Sequence, residues 1–204
     1  MKLLLTGFEP FGGQTVNPSE RVVAALTTQT IPDVELHSAI LPVDHERGPA
    51  ALLNAYESIR PDAVICLGEA GRRMRISIER VAINLLDYRL PDNAGRQIVD
   101  EPIVAGGPAA YFCTLPVRAL YQAVLNEGVP VELSLSAGTF LCNQVTYTLL
   151  HHIATHGRRC AAGFIHLPFL PEQAARESSP VASMSLDTMT HGLTAAIAAL
   201  ARDR

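Results

Sequence analysis

The chain has 204 residues, of which 48% are hydrophobic and 18% are charged, and its formal net charge is −4 at pH 7. This length and composition favour one folded domain with a core that needs neither disulfides nor a metal. The acidic balance excludes a general nucleic-acid binder, which needs an excess of basic residues. No apolar run reaches the roughly 20 residues of a membrane-spanning helix, and no secretory signal is visible. We therefore expect a soluble cytoplasmic protein.

The four cysteines are widely spaced and include no CxxC pair. They are Cys66, Cys113, Cys142 and Cys160. In a chain without an export signal, we expect reduced thiols. This excludes a disulfide scaffold and a zinc ribbon.

Short apolar runs alternate with helical patterns over most of the chain. Strands are predicted at 2–8, 34–43, 62–68, 75–86, 131–135 and 160–166. Helices are predicted from an Asn17 cap with Pro18 in the first position, and at 49–59, 114–126, 138–157 and 185–201. The alternation predicts an α/β fold, a single domain over residues 1–204, with a twisted, largely parallel central sheet between helices on both faces. Alternation within 76–85 indicates an antiparallel or edge strand, which would make the sheet mixed.

Chemically active side chains follow several of the predicted strands. Glycine-rich turns with Phe8 and Phe11 follow the first strand, and the GEAG motif from Gly68 follows the third. Cys142 comes after the strand from residue 131, and His166 ends the strand from residue 160. Because ligands of open α/β sheets bind beyond the carboxyl ends of strands, these groups predict one site at one edge of the sheet.

Cys142 lies near a helix start in GTFLCNQVTY. Unpaired N–H groups at that position would lower the pKa of the thiol and could form an oxyanion hole. A histidine within reach would complete the arrangement of a cysteine hydrolase. The alternative is a buried structural cysteine, which fits Cys66 and Cys160 inside their strands.

His166 is the preferred general base, because it ends an apolar strand at the predicted site. Three other histidines, His151, His152 and His156, fall in the last turns of a helix, where they complement its dipole. His152 and His156 have the spacing of a metal pair but lack the carboxylate of HExxH, so no metal is predicted.

Glu79 is the candidate third member of the site. The apolar alternation changes parity across Glu79 and Arg80, which predicts a β-bulge beside the site. A carboxylate in a buried strand needs a partner. That partner is either the imidazole, which it would orient, or Arg75 or Arg80 in an ion pair.

A run of arginines surrounds the same strand. Its members are Arg72, Arg73, Arg75 and Arg80. A solvated face or a subunit contact explains them, although they also allow a phosphate-dependent transferase as an alternative function. The turn from Gly7 to Gly13 does not match either nucleotide-binding glycine motif.

Several long motifs occur in an order that resembles one known family over essentially the whole chain. They are TGFEPFGG with VNPS, GEAG, IERVAINLLDYRLPDNAG, DEPIVAGGPAAYFCTLP, SAGTFLCNQVTY and GFIHLPFLPEQ. The sequence resembles the pyroglutamyl peptidase I family of cytoplasmic cysteine exopeptidases. By this resemblance, Cys142, His166 and Glu79 are the catalytic triad.

The resemblance also implies a substrate pocket and a mode of assembly. Phe8 and Phe11 would flank the pyrrolidone ring, Asn17 would bind or order the pocket, and Arg89 would lie near the cysteine. Glu69 stands where the family usually has glutamine, and an ionised carboxylate there could only accept, for example from the lactam N–H. The implied substrates are N-terminally pyroglutamylated peptides, cleaved without a cofactor by a homotetramer. A pyroglutamate-binding protein without activity is a second alternative.

Overall fold

In the computed structural model, which describes residues 1–202, two sheets are joined by six helices. The strands are β1 (Lys2–Phe8), β2 (Glu35–Leu41), β3 (Ala63–Glu69), β4 (Ile76–Glu79), β5 (Val81–Ile83), β6 (Ala110–Phe112), β7 (Val131–Ser134) and β8 (Ala161–Leu167). The helices are α1 (Pro18–Thr27), α2 (Arg47–Ile59), α3 (Val117–Asn126), α4 (Leu141–His156), α5 (Pro171–Ala174) and α6 (Leu186–Arg202). No helix within residues 1–202 is long and apolar enough to cross a membrane.

The main sheet is mixed, as predicted. Its strand order is β2-β1-β3-β8-β4-β7. The first four strands in this order are parallel to one another, whereas β4 is antiparallel to β8 and parallel to β7. The antiparallel direction predicted for residues 76–85 is therefore confirmed for β4, although β4 lies inside the sheet and not at its edge.

The parity change at Glu79 and Arg80 marks a change of sheet. Strand β4 ends at Glu79, and after Arg80 the chain continues as β5, which pairs with β6 in a separate two-stranded sheet. The Arg80 N–H still donates to the Ser134 carbonyl at 2.9 Å. The predicted bulge is therefore wrong, because alternation restarts when the chain leaves one sheet and enters another.

Helices cover both faces of the main sheet, as predicted. Helices α1, α3 and α6 pack on one face, and α2 and α4 pack on the other. In β3, Ile65 and Leu67 belong to the first core, and Val64 and Cys66 belong to the second. This burial on both sides explains why the sequence of β3 is continuously apolar.

The start of α4 is fixed to β5 by one side chain. Asn143 is 1% exposed, and its Oδ1 accepts from the Ile83 N–H at 2.9 Å. Its Nδ2 donates to the carbonyls of Ile83 at 2.9 Å and Leu85 at 3.1 Å. Since Asn143 follows Cys142 directly and β5 follows Glu79 closely, these bonds hold two predicted site segments together.

Replacing Asn143 with alanine tests this connection. We expect Asn143→Ala to lower the free energy of unfolding by about 2–4 kcal/mol, because buried backbone groups lose their partners. Urea denaturation measures the change. The control is Gln122→Ala, which removes an exposed amide bonded to Asn126 and should cost less than about 0.5 kcal/mol. Equal stability of the two variants would contradict this role of Asn143.

Candidate active site

A buried hydrogen bond joins two of the predicted site residues across neighbouring strands. Glu79 on β4 and His166 on β8 are 1% and 4% exposed, and Glu79 Oε1 lies 2.8 Å from His166 Nδ1. A carboxylate can only accept, so Nδ1 carries the proton and donates. The other ring nitrogen, Nε2, is then left as an acceptor in the neutral imidazole.

The Cys142 thiol lies above Gly68, the register partner of His166. A Cβ atom on Gly68 would be 2.9 Å from Cys142 Sγ and 2.6 Å from Cζ of Phe164. The Phe164 and His166 rings pack with centroids 4.7 Å apart. Gly68 therefore provides the space that lets the thiol approach the sheet on the face that carries the imidazole.

The chain that leads to Cys142 follows a different path from the predicted one. Strand β7 runs antiparallel to β8, so its carboxyl end lies at the opposite edge from the ends of β1, β3 and β8. Residues 135–140 carry the chain back, with a positive φ of 76° at Gly138. Cys142 is then the second residue of α4, where backbone N–H groups have no partner within the helix.

The structure corrects the expected ionisation of Cys142. Burial raises the pKa of the thiol to about 12, and the negative charges of Glu79 and Glu69 act in the same direction. These effects outweigh the opposing backbone hydrogen bond and the charge of Arg73, and the predicted lowering is wrong. Burial also lowers the pKa of His166, opposed by the bond to Glu79 and assisted by the charge of Arg73. Both shifts favour the uncharged forms, a neutral thiol and a neutral imidazole.

A small, mainly apolar pocket opens beside the thiol. Two of its aromatic rings, Phe11 and Phe140, have centroids 5.9 Å apart, and Tyr88 packs edge-on against Phe140 at 4.5 Å. The lining residues are Phe8, Phe11, Asn17, Val43, Glu69, Phe140, Leu141 and Cys142. A larger polar groove between α1 and α6 shares no residue with this pocket.

Asn17 orders the turn that carries the pocket's aromatic side chains. Its Nδ2 donates to the Glu9 carbonyl at 3.0 Å, and its Oδ1 accepts from the Ser19 N–H at 3.0 Å and the Ser19 hydroxyl at 2.7 Å. The Ser19 hydroxyl oxygen in turn accepts from the Phe8 N–H at 2.9 Å. Asn17 is also the predicted N-cap of α1.

The two charged residues assigned to the pocket occupy different positions. Glu69 lines it, and Glu69 Oε2 accepts from Gln173 Nε2 at 2.7 Å. Burial raises the pKa of Glu69, while the Gln173 bond and the charge of Arg89 oppose this. Arg89 is exposed and is not a lining residue of this pocket.

The ion-pair partner of Glu79 is Arg73, which was not one of the predicted partners. Its Nη1 donates to Glu79 Oε1 at 2.6 Å and its Nη2 to the Ser136 carbonyl at 2.8 Å. The expected ion-pair partners were Arg75 or Arg80. Phe140 was also not predicted as a pocket residue. Its position directly before the helix that carries Cys142 could have indicated this.

One acidic cluster outside the pocket could hold a cation by distance alone. Its possible ligand atoms, from Asp44, His45 and Asp92, lie within 4.8 Å of one another. The carboxylates, however, already accept backbone N–H bonds: Asp44 from Glu46 and Arg47, and Asp92 from His45, Ala94 and Arg96. These bonds indicate a role in ordering the loops.

Comparison with known proteins identifies the family. A family model described as "Pyroglutamyl peptidase" matches residues 1–203. The pyrrolidone-carboxylate peptidase of Vibrio vulnificus is 51% identical over 192 residues, which are 94% of this chain and 89% of that protein. The pyrrolidone-carboxylate peptidase of Chromobacterium violaceum is 50% identical over 195 residues, with coverage of 96% and 90%.

Solved structures agree with this assignment. Pyroglutamyl peptidase I of Bacillus amyloliquefaciens has a TM-score of 0.93 and 44% identity, covering 98% of this chain and 97% of that chain. A mutant pyrrolidone carboxyl peptidase of Pyrococcus furiosus has a TM-score of 0.96 and 42% identity, with coverage of 100% and 99%. The chain belongs to the pyroglutamyl peptidase family of cysteine-type hydrolases.

Proposed function

We propose that Cys142, His166 and Glu79 are the nucleophile, the general acid–base and the orienting carboxylate of this pyroglutamyl peptidase. The reaction is hydrolysis of the amide bond after an N-terminal pyroglutamyl residue of a peptide. The observation that best supports the proposal is the buried 2.8 Å bond between Glu79 and His166. It lies next to Gly68, against which the Cys142 thiol packs.

The first step transfers a proton as the sulfur attacks. Because Glu79 accepts from Nδ1, the unprotonated Nε2 of His166 takes the Cys142 proton while Sγ bonds to the pyroglutamyl carbonyl carbon. The raised pKa of Cys142 favours this coupled transfer over a preformed thiolate. Glu79 stabilises the imidazolium that results.

The remaining steps use the same groups. N–H groups at the start of α4 stabilise the negative oxygen of the tetrahedral intermediate. The His166 imidazolium gives its proton to the departing amine, and a thioester between Cys142 and the pyroglutamyl group remains. His166 then removes a proton from water, which attacks the thioester and releases pyroglutamate and the free thiol.

The pocket suits a neutral ring. A pyroglutamyl residue has no α-ammonium group, because its nitrogen is part of a lactam. Such a ring needs apolar surfaces on its faces and a few polar groups at its amide edge. Phe8, Phe11 and Phe140 provide the apolar surfaces. We assign the polar contact to Glu69, which in its protonated form can donate to the lactam carbonyl.

The transferase alternative places a phosphate site among the local arginines. One of them, Arg73, is instead bound to Glu79 and to the Ser136 carbonyl, which weakens that alternative. The binding-protein alternative predicts tight pyroglutamate binding without turnover. Calorimetry combined with the assay below distinguishes it from a peptidase.

Removal of the triad tests the proposed roles. We expect Cys142→Ser and His166→Ala to lower kcat/KM for a fluorogenic pyroglutamyl amide by about 10³-fold or more, and Glu79→Gln by about 10²-fold or more. Cys113→Ser is the control, because this second half-buried thiol faces the Ala162 carbonyl and should leave turnover near wild type. Retained activity in folded Cys142→Ser would contradict the assignment.

The thiol state gives a second prediction. In the unliganded protein, alkylation of Cys142 by iodoacetamide should rise about tenfold per pH unit between pH 7 and pH 9, because only the thiolate reacts and its pKa is raised by burial. Mass spectrometry of the Cys142 peptide measures the rate. A rate that is already constant at pH 7 would indicate a preformed thiolate and would contradict this description.

Glu69 should make substrate binding depend on pH. Burial raises the pKa of Glu69, so the protonated, donating form persists to higher pH than in an exposed glutamate. As the pH rises and Glu69 ionises, the wild-type KM should increase, whereas Glu69→Gln should show a constant KM over the same range. Steady-state kinetics measures both proteins. Parallel KM profiles would contradict the contact between Glu69 and the ring.

A further inference from the structure

Arg73 connects two parts of the site that come from distant segments. Its guanidinium donates through Nη1 to Glu79 at 2.6 Å and through Nη2 to the Ser136 carbonyl at 2.8 Å. Ser136 begins the segment that leads to Cys142, and its hydroxyl oxygen accepts from the Gly138 N–H at 3.1 Å. One side chain thus links the carboxylate of the site to the segment that delivers the nucleophile.

The bonds of Glu79 are concentrated on one oxygen. Oε1 accepts from both His166 and Arg73, whereas Oε2 is buried and has no partner among residues 1–202. The guanidinium is the cation paired with this buried carboxylate. Without it, His166 would be the group left to balance a carboxylate that is 1% exposed, and protonation of the imidazole would be favoured.

The protonation state of His166 decides whether the proposed chemistry can start. A neutral imidazole can accept the thiol proton, whereas an imidazolium cannot. Because Arg73 balances the charge of Glu79, the imidazole can orient on the carboxylate without becoming charged. His166 is also next to the Phe164 ring, to its register partner Ser77 on β4 and to Gly68, against which the Cys142 thiol packs. None of these groups is a cation.

We propose that Arg73 is a positioning residue for the reaction: it keeps His166 neutral by pairing with Glu79, and it holds the segment before Cys142 through Ser136. This inference rests on the proposed function of the triad. It assigns two separable roles, one to the charge of the guanidinium and one to its two-pronged shape.

The test compares pH profiles of kcat/KM for a pyroglutamyl amide. In Arg73→Gln, Glu79 would act on His166 alone and raise its pKa, so the acid limb should move to higher pH and kcat/KM below it should fall about 10-fold or more. Arg73→Lys keeps the charge but cannot make both contacts. Its acid limb should remain at the wild-type position while kcat falls.

Controls separate this role from a general effect of charge or stability. Arg72→Gln and Arg75→Gln remove a charge from exposed neighbours in the same segment and should leave the profile unchanged. Millimolar guanidinium ion should restore part of the activity of Arg73→Ala, whereas the same concentration should leave the activity of the wild type unchanged. Thermal unfolding shows which variants are folded.

Each of the two roles can be overturned separately. An unchanged acid limb in folded Arg73→Gln, or in folded Arg73→Ala if the glutamine variant does not fold, would remove the role of the charge. Wild-type kcat and KM in Arg73→Lys would remove the role of the two-pronged contact. If the wild type is active and loses activity in Cys142→Ser, these results concern Arg73 alone and leave the triad intact.

Discussion

The proposed active site depends on one buried hydrogen bond, between a carboxylate and an imidazole on neighbouring antiparallel strands. A buried carboxylate needs partners, and the 2.8 Å bond to His166 and the ion pair to Arg73 provide them for Glu79. The same bond fixes which ring nitrogen of His166 is free. The antiparallel insertion of β4 between β8 and β7 is what brings the two residues together from 87 positions apart.

The rest of the site is arranged around that pair by close packing. Gly68 leaves room for the Cys142 sulfur on the imidazole's face of the sheet, and Asn143 fixes the start of α4 to β5. The cost of this packing is desolvation, which raises the pKa of the thiol. The raised pKa of Cys142 and the lowered pKa of His166 favour a neutral thiol and a neutral imidazole, and in the proposed mechanism the sulfur becomes nucleophilic as its proton is transferred.

Much of this was predictable from local sequence, and the errors have a common physical origin. Local patterns predict the β–α alternation, the antiparallel direction near residue 78 and the candidate site residues Cys142, His166 and Glu79. The direction of β7, the ion pair of Arg73 and the raised pKa of Cys142 do not, because each depends on contacts between distant segments. The predicted path of the chain from β7 to Cys142 was therefore wrong, although Cys142 itself lies at the candidate site. Assembly as a homotetramer and a cytoplasmic location remain predictions.

The central claim is that the peptide bond is cleaved through a thioester on Cys142, formed with the help of a neutral His166. Rapid acid quenching during turnover, followed by mass spectrometry of the peptides, tests it most directly. We expect one pyroglutamyl group on the Cys142 peptide, absent from the peptides with Cys66, Cys113 and Cys160 and absent in His166→Ala. Turnover of wild-type protein with no acyl group on Cys142 at any quench time, or with the group on another residue, would contradict the mechanism.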